Sequence, residues 1–565
     1  MSPGHRRFFA LALIMALTAA AFLLIDAASF ADSVEPADEG DFGAAEARKA
    51  SRMPEQWITA DHSQHQILAE GNFTSGPEVT AACLTCHNQA ALQIHETIHW
   101  TWLCPADPER ELGKAGLTLN NFCISVPSNE PRCTSCHVGY GWSDDGFDFD
   151  DPTRVDCLVC HAQTNEETGP YLKFPAGSGN PVAEEKVFPG NGRTYFPPNW
   201  NAVAMSVGRP TRRNCGQCHF NGGGGNGVKH GDLDQSLLTP SRDLDVHMDA
   251  EGPDFDCVRC HTTESHRIAG RCYKQPAATD RRSLIDSDLI TRITCESCHT
   301  DAPHEPGHKA NDHTDIVACQ SCHIPTFARV MPTKMFWDWS SAGRMRDGAP
   351  YKVMGDLDRP TYDTKKGDFI WEMDVVPEYF WFDGTLEYTL LTDEIDPSDV
   401  VRLNVPVGER GDHDSRIYPF KVHLGVTPYD AGNNRMAVPH LFGKDENAYW
   451  KSFDWAKAIQ AGTDYIRNSY PEVMEFSGEV GFVETEYHFQ ITHMVAPKEN
   501  SLECAACHSD ESRLSELTGF YMPGRDANSL LDTIGWIAVF GSLVGVGGHG
   551  LLRMFSSKNN EEASS

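Results

Sequence analysis

The pentapeptide Cys-x-x-Cys-His recurs eight times in 565 residues, and no other feature constrains the fold as strongly. The copies are Cys83-Cys86-His87, Cys133-Cys136-His137, Cys157-Cys160-His161, Cys215-Cys218-His219, Cys257-Cys260-His261, Cys295-Cys298-His299, Cys319-Cys322-His323 and Cys504-Cys507-His508. With 19 Cys and 25 His in the chain, random placement gives roughly 0.03 such motifs, so the repeat reflects chemistry rather than composition. Zinc knuckles or disulfides would leave the constant histidine unexplained. Covalent attachment of haem c needs it: two thiols add to the two vinyl groups, and the adjacent histidine reaches the iron from the same face. The sequence therefore asks for eight covalently bound haem c groups.

Each iron takes a further axial ligand, and the candidates are His62, His95, His99, His230, His247, His266, His304, His308, His313, His440, His488 and His493. The first choices are His62, His95, His99, His230, His247, His266, His313 and His493. His95 and His99, in "ALQIHETIHWTW", are four apart and share one helix face, so they can serve two haems or one haem and a pocket. A methionine is the alternative at one site, where it would raise the potential.

Seven motifs fall between residues 83 and 323, too dense for an ordinary apolar core. The expected architecture is mainly α with much irregular structure, a multihaem cytochrome c fold in which stacked haems form the core. Residues 32–330 form the heptahaem region. Residues 331–440, rich in aromatics, Pro and Gly, read as haem-free loops and hairpins. Residues 441–520 read as long helices leading to the eighth haem, from "KDENAYWKSFDWAKAIQAGTDYIRNSYPEVMEF" and "VETEYHFQITHM".

Both chain ends point to export. Residues 1–31 carry His5, Arg6 and Arg7, an apolar run and a small-residue site at Ser29-Phe30-Ala31; they read as a secretory signal, with an uncleaved anchor as the alternative. Residues 528–555 read as a transmembrane anchor, and Arg553 and Lys558 place the C-terminus in the cytoplasm and the bulk on the periplasmic or extracytoplasmic face. A formal net charge of -33 argues against nucleic acid as a partner. It leaves room for a small anionic substrate in a local positive pocket. A membrane quinol-linked cytochrome or another electron-transfer protein is the expected partner.

The stretches "SNEPRCTSCHVGYGW", "NCGQCHFNGGGGNGVKHGDLD", "DCVRCHTTESHRIAG", "ITCESCHTDAPH" and "NDHTDIVACQSCHIPTFAR", with the late eighth motif, resemble the octahaem tetrathionate reductase family across roughly residues 55 to 515. In that family one haem takes a lysine ligand and forms the active site. The resemblance puts this role on Lys229, paired with the second motif, and a pocket cysteine on Cys123. Where the family pattern has an Asp three residues before the lysine, this chain has Asn226, which can hold a hydrogen bond but cannot take up a proton. An acid-base role would then pass to Asp232 or Asp234. Cys104, Cys123 and Cys272 lie outside the motifs, and a Cys104–Cys123 disulfide is the rival reading of Cys123. Glycines 222–225 and 227 allow close approach of the backbone to other groups. The resemblance implies a respiratory reductase of tetrathionate or a similar sulfur oxyanion. A nitrite- or hydroxylamine-type redox enzyme and a non-catalytic electron carrier are the alternatives.

Overall fold

The computed structural model describes residues 62, 64–105, 107–165, 168–190, 192–261, 263–268, 270, 295–413 and 415–562. The signal segment and Cys272 lie outside the described residues. The chain divides into two compact units, one of residues 50–302 and 307–503, the other including 303–306 and 504–562.

In the first unit, the described residues up to 330 form short helical pieces and two two-stranded ladders, Lys186–Val187 with Thr194–Tyr195 and Thr263–Glu264 with Arg267–Ile268, joined by loops. Helix α1 is Gly76–Leu84, α2 Cys157–His161, α3 Arg212–His219 and α4 Cys319–His323. The motifs fold as single helical turns: the backbone N–H of His87, His261 and His299 each bonds the carbonyl of the first cysteine, four residues back, at 2.9 Å. One such turn brings both cysteines and the histidine to one side, as attachment to a planar group requires. Local sequence starts these turns. The Asp156 carboxylate accepts from the Val159 N–H ahead of α2, and Thr211 and Asn214 form a reciprocal cap on α3.

Beyond residue 330 the expectation of a mainly α fold fails. Nine strands form one sheet: β1 Thr333–Asp338, β2 Lys352–Met354, β3 Pro360–Asp363, β4 Gly367–Glu372, β5 Glu378–Phe382, β6 Val401–Arg402, β7 Arg416–Asp430, β8 Arg435–Met436 and β9 Val480–Gln490. The order is β6-β9-β7-β1-β4-β3-β2, with β5 and β8 also pairing with β7. The hairpins expected in 331–440 are present, as in the antiparallel succession β2-β3-β4, but they belong to one extended sheet rather than to a wrapping of loops. "VETEYHFQ", expected as helix, lies in β9, which pairs antiparallel with β7 from Phe420↔Gln490 to Asp430↔Val480. The reason is its period: Val483, Thr485, Tyr487 and Phe489 alternate with Glu484, Glu486 and His488, and β-branched and aromatic residues suit a pleated surface. A helix is found earlier, α5 at Trp455–Ile466, with Asp454 accepting from the Lys457 N–H.

Among the described residues the largest cluster of buried apolar side chains lies at the sheet. It joins Leu117, Leu119 and Phe122 to Trp337, Trp339, Leu403, Tyr449, Ile466, Val483 and Phe489, with Trp337 stacked on Trp339 at 4.7 Å. In the second unit, α6 spans Ser529–Glu562. Its stretch Ser529–Phe555 is long and apolar enough to cross a membrane, and none of it is buried.

Candidate active site and haem ligands

Four histidine pairs lie at one spacing. Ring centroids are 6.1 Å apart for His62 and His87, 6.2 Å for His99 and His219, 6.2 Å for His261 and His493, and 6.0 Å for His247 and His299. Two imidazoles on opposite sides of one metal, with bonds of about 2.0 Å and each centroid about 1.1 Å behind its nitrogen, stand about 6 Å apart. The first, fourth, fifth and sixth motifs each contribute one ring of such a pair. The remote nitrogens of motif histidines are tethered in the way that orients a metal ligand: Nδ1 of His161 bonds the Gly208 carbonyl and Nδ1 of His508 the Pro523 carbonyl, both at 2.9 Å. His493 Nδ1 lies 3.2 Å from the Asp232 carboxylate. These residues fit haem c.

The remaining candidates divide. His266 is held by Gln93 Oε1 at 2.8 Å, close to His161 and His87. His95 stacks on Trp100 at 4.5 Å, and its buried Nε2 has no hydrogen-bond partner. His304 shares the second unit with the eighth motif, and His313 ends the short helix Lys309–His313. His308 caps that helix through Nδ1. His440 engages both ring nitrogens, with the Ser128 carbonyl at 2.6 Å and Asp445 at 3.1 Å. His488 packs against Phe380 and bonds the Asn404 carbonyl through Nδ1.

Cysteines of different motifs also meet. Cys83 contacts Cys157, Cys136 contacts Cys218, Cys215 contacts Cys257, and Cys295 contacts Cys319. Cys260 lies near Cys298. The second, fourth, fifth, sixth and seventh motifs thus form one row of neighbours.

The second motif departs from the others. Its histidine N–H bonds the Thr134 carbonyl, and the backbone leaves the turn in an extended conformation. The His137 ring is fully buried among Trp100, Trp102, Trp142, Phe147 and Phe149. Its Nε2 lies 2.7 Å from the Trp100 carbonyl. Lys173, paired with Asp156 at 3.0 Å, donates to the His137 carbonyl and holds this backbone in place.

Beside this motif the glycine-rich loop folds back. Gly223 and Gly227 have φ of 76° and 72°, and a Cβ on Gly227 would stand 2.5 Å from the Pro332 carbonyl. Lys229 runs along Gly222, and its ammonium lies 5.6 Å over the Phe489 ring. Cys123 donates from Sγ to the Gly223 carbonyl at 3.0 Å and is not in a disulfide; Cys104 is buried elsewhere, beside Leu112. Burial pushes the Cys123 thiol up, against the pull of Lys366, Arg132 and Lys334, which keeps it protonated at neutral pH. Cys123 also lies near Cys133 of the second motif. Asn226 is spent on loop structure, donating to Met331 Sδ and accepting from the Gln235 N–H, each at 3.0 Å. Asp232 accepts from the backbone of Thr492 and His493, and Asp234 caps the turn Gln235–Leu238.

The wall opposite this loop is the sheet, and its residues carry no sequence motif. Tyr487 and Phe489 on β9 pack against Phe122 at 5.7 and 5.6 Å. His230 meets Phe489 at 5.4 Å. On β7, Lys421 and His423 are both fully buried. Asn121 donates from Nδ2 to the carbonyls of His423 at 2.7 Å and Thr485 at 3.2 Å, so its Oδ1 receives the His423 Nδ1 proton at 2.9 Å. The His423 Nε2 then carries a lone pair. Burial, with Lys421 and Lys334 nearby, holds this imidazole well below the usual histidine range. The Lys334 ammonium sits in an aromatic cage, 3.6 Å from the Trp337 centroid and 3.5 Å from that of Phe369, and Lys366 is half-buried near Trp337 and Trp450. Burial pushes all three lysines down, Lys421 to about 7, and a negative charge among them would favour their protonated forms, which suits the region to an anion. The available signal was polar residues at alternate positions of a strand otherwise apolar on both faces.

Known proteins share this design. The profile of a family described as bacterial cytochrome c matches residues 334–511. A protein of Archaeoglobus fulgidus, described as uncharacterized, is 30% identical over 38% of this chain and 82% of its own length. The crystal structure of an octahaem cytochrome c from Shewanella oneidensis superposes with a TM-score of 0.68 at 42% identity, covering 80% of this chain and 95% of that one. With its eight attachment motifs and histidine pairs at metal-bridging distance, the chain belongs to the octahaem cytochrome c family, whose haem groups are held covalently.

Proposed function

We propose that the protein is an exported, membrane-anchored cytochrome carrying eight haem c groups, and a respiratory reductase of tetrathionate or a similar small sulfur oxyanion at a haem ligated by Lys229. The observation that carries this reading is the gathering of Lys334 and Lys366 round Cys123, itself near Cys133 of the motif whose histidine Nε2 is engaged by a carbonyl, with Lys229 and Lys421 both over Phe489. Haem c at the second motif would supply electrons and a coordination position. Lys334 and Lys366 offset the charge of the substrate. Tetrathionate takes up two electrons, its central sulfur–sulfur bond breaks, and two thiosulfates leave, with no proton consumed. Protonated Cys123 lines the pocket as a hydrogen-bond donor rather than a thiolate nucleophile. The row of neighbouring motifs leads electrons from a quinol-linked membrane cytochrome or another donor, and α6 keeps the protein at the membrane surface.

The test is oxidation of reduced viologen by tetrathionate, nitrite and hydroxylamine in parallel. Tetrathionate turnover is expected, together with a spectral change when carbon monoxide meets the reduced protein. No turnover of any substrate and no carbon monoxide response would leave an electron carrier.

His423 favours a second reading. Reduction of nitrite or hydroxylamine consumes protons, and a buried imidazole with a lone pair toward its surroundings can relay them. His423→Leu is then expected to lower nitrite or hydroxylamine turnover by about 10²-fold while leaving tetrathionate turnover within about threefold. Equal losses on all three would remove His423 from proton delivery.

A further inference from the structure

Lys421 donates from one ammonium to three acceptors: the Val228 carbonyl at 3.2 Å, the Lys229 carbonyl at 3.0 Å and Thr333 Oγ1 at 2.7 Å. Thr333 in turn donates to the Gly227 carbonyl at 2.8 Å, which also accepts from the Lys334 N–H at 3.0 Å. Three consecutive loop carbonyls, those of Gly227, Val228 and Lys229, are therefore held by β1 and β7. Lys421 is fully buried, and among the described residues no carboxylate is bonded to it. A charge without a bonded counter-ion is expensive to bury, and an apolar residue would fill the space at lower cost were the loop not to be held. An ammonium is the side chain that converges three donors on one point, and here all three are used. Its neighbour across the strand pair is Phe489, and the Nζ atoms of Lys421 and Lys229 lie 5.8 and 5.6 Å from the centroid of that one ring.

We propose that Lys421 is a positioning residue that fixes the backbone from which Lys229 projects, so that the Lys229 amine meets the iron at the second motif from one defined direction. The inference rests on the reading that Lys229 ligates that iron. Its role differs from charge compensation, because the Lys421 ammonium faces backbone carbonyls.

Near-infrared magnetic circular dichroism of the oxidised, fully haem-loaded protein tests it, since amine-ligated and bis-imidazole haems give separate charge-transfer bands. Lys421→Met is expected to lose or broaden the amine band, to keep the bis-imidazole bands and haem content, and to speed hydrogen exchange of the 222–230 segment. Lys421→Arg, whose planar fork cannot converge three donors on one point, is expected to restore charge without restoring the band. Should Lys421→Met fail to load haem, Thr333→Val carries the test by removing one acceptor and the bond to Gly227. An unchanged amine band in the Lys421 or Thr333 variant overturns the inference. A band that survives Lys229→Met overturns the ligation reading instead.

Discussion

Glu130 stands three residues before Cys133, buried, with a carboxylate oxygen accepting from the Ser128 N–H at 3.2 Å. Burial pushes its carboxyl from an ordinary 4.5 up to about 7. A folded-state value above the unfolded one means that the folded chain holds the proton more tightly. The resulting stabilisation is complete below about pH 4.5 and is lost as pH rises through about 7, a swing of about 3 kcal/mol for a shift of this size. Glu130→Gln should flatten that dependence and raise the denaturation midpoint at about pH 8, measured by urea titration across pH; an unchanged slope would show that the carboxyl is already paired. At this scale the chain is unevenly legible. The sixteen motif cysteines are read directly, because thioether attachment depends on a spacing local in sequence. His423 and Lys421 are not, because each earns its role from partners far along the chain: Asn121 is 302 positions from His423, and Lys229 is 192 from Lys421.

At the scale of the element, the glycine-rich loop is the part most exposed to single substitutions. Gly227→Ala puts a side chain at φ 72° and a methyl 2.5 Å from the Pro332 carbonyl. A non-glycine residue there costs about 1–3 kcal/mol before the clash is counted. Thermal unfolding of the haem-loaded variant should show a loss of at least that size, whereas Gly224→Ala, near only the Cys123 sulfur at 3.9 Å, should lose less despite its own positive φ. A Gly227 variant as stable as the parent would mean that the loop relaxes away from β1. The glycine run was visible in the sequence as a place of close approach. What it approaches was not, because the sequence of β1 and β7 reads as loops and hairpins and that of β9 as helix. Runs such as "RIYPFKVHLGVTPYD" have both faces covered, which blurs the alternation that marks a strand.

For the whole molecule, the anchor is the sharpest expectation. Removal of residues 529–562 should move the protein from the membrane pellet to the soluble exported fraction, with haem content and viologen-linked turnover retained. If the full-length protein leaves the pellet in an alkaline wash, α6 packs on protein rather than in lipid. Length and hydropathy suffice to pick out this helix, since a bilayer selects on those alone. Attachment chemistry is likewise a property of the sequence by itself: each Cys-x-x-Cys-His motif is legible as a haem c attachment site because both thiols and the histidine lie within five residues. Which histidine faces which motif, why His137 lies in an aromatic box, and how Lys421 reaches the glycine-rich loop and His423 reaches Asn121 were decided only by tertiary structure. Those contacts join the haem-binding half to a sheet from the other half, and no local rule records where two distant segments will meet.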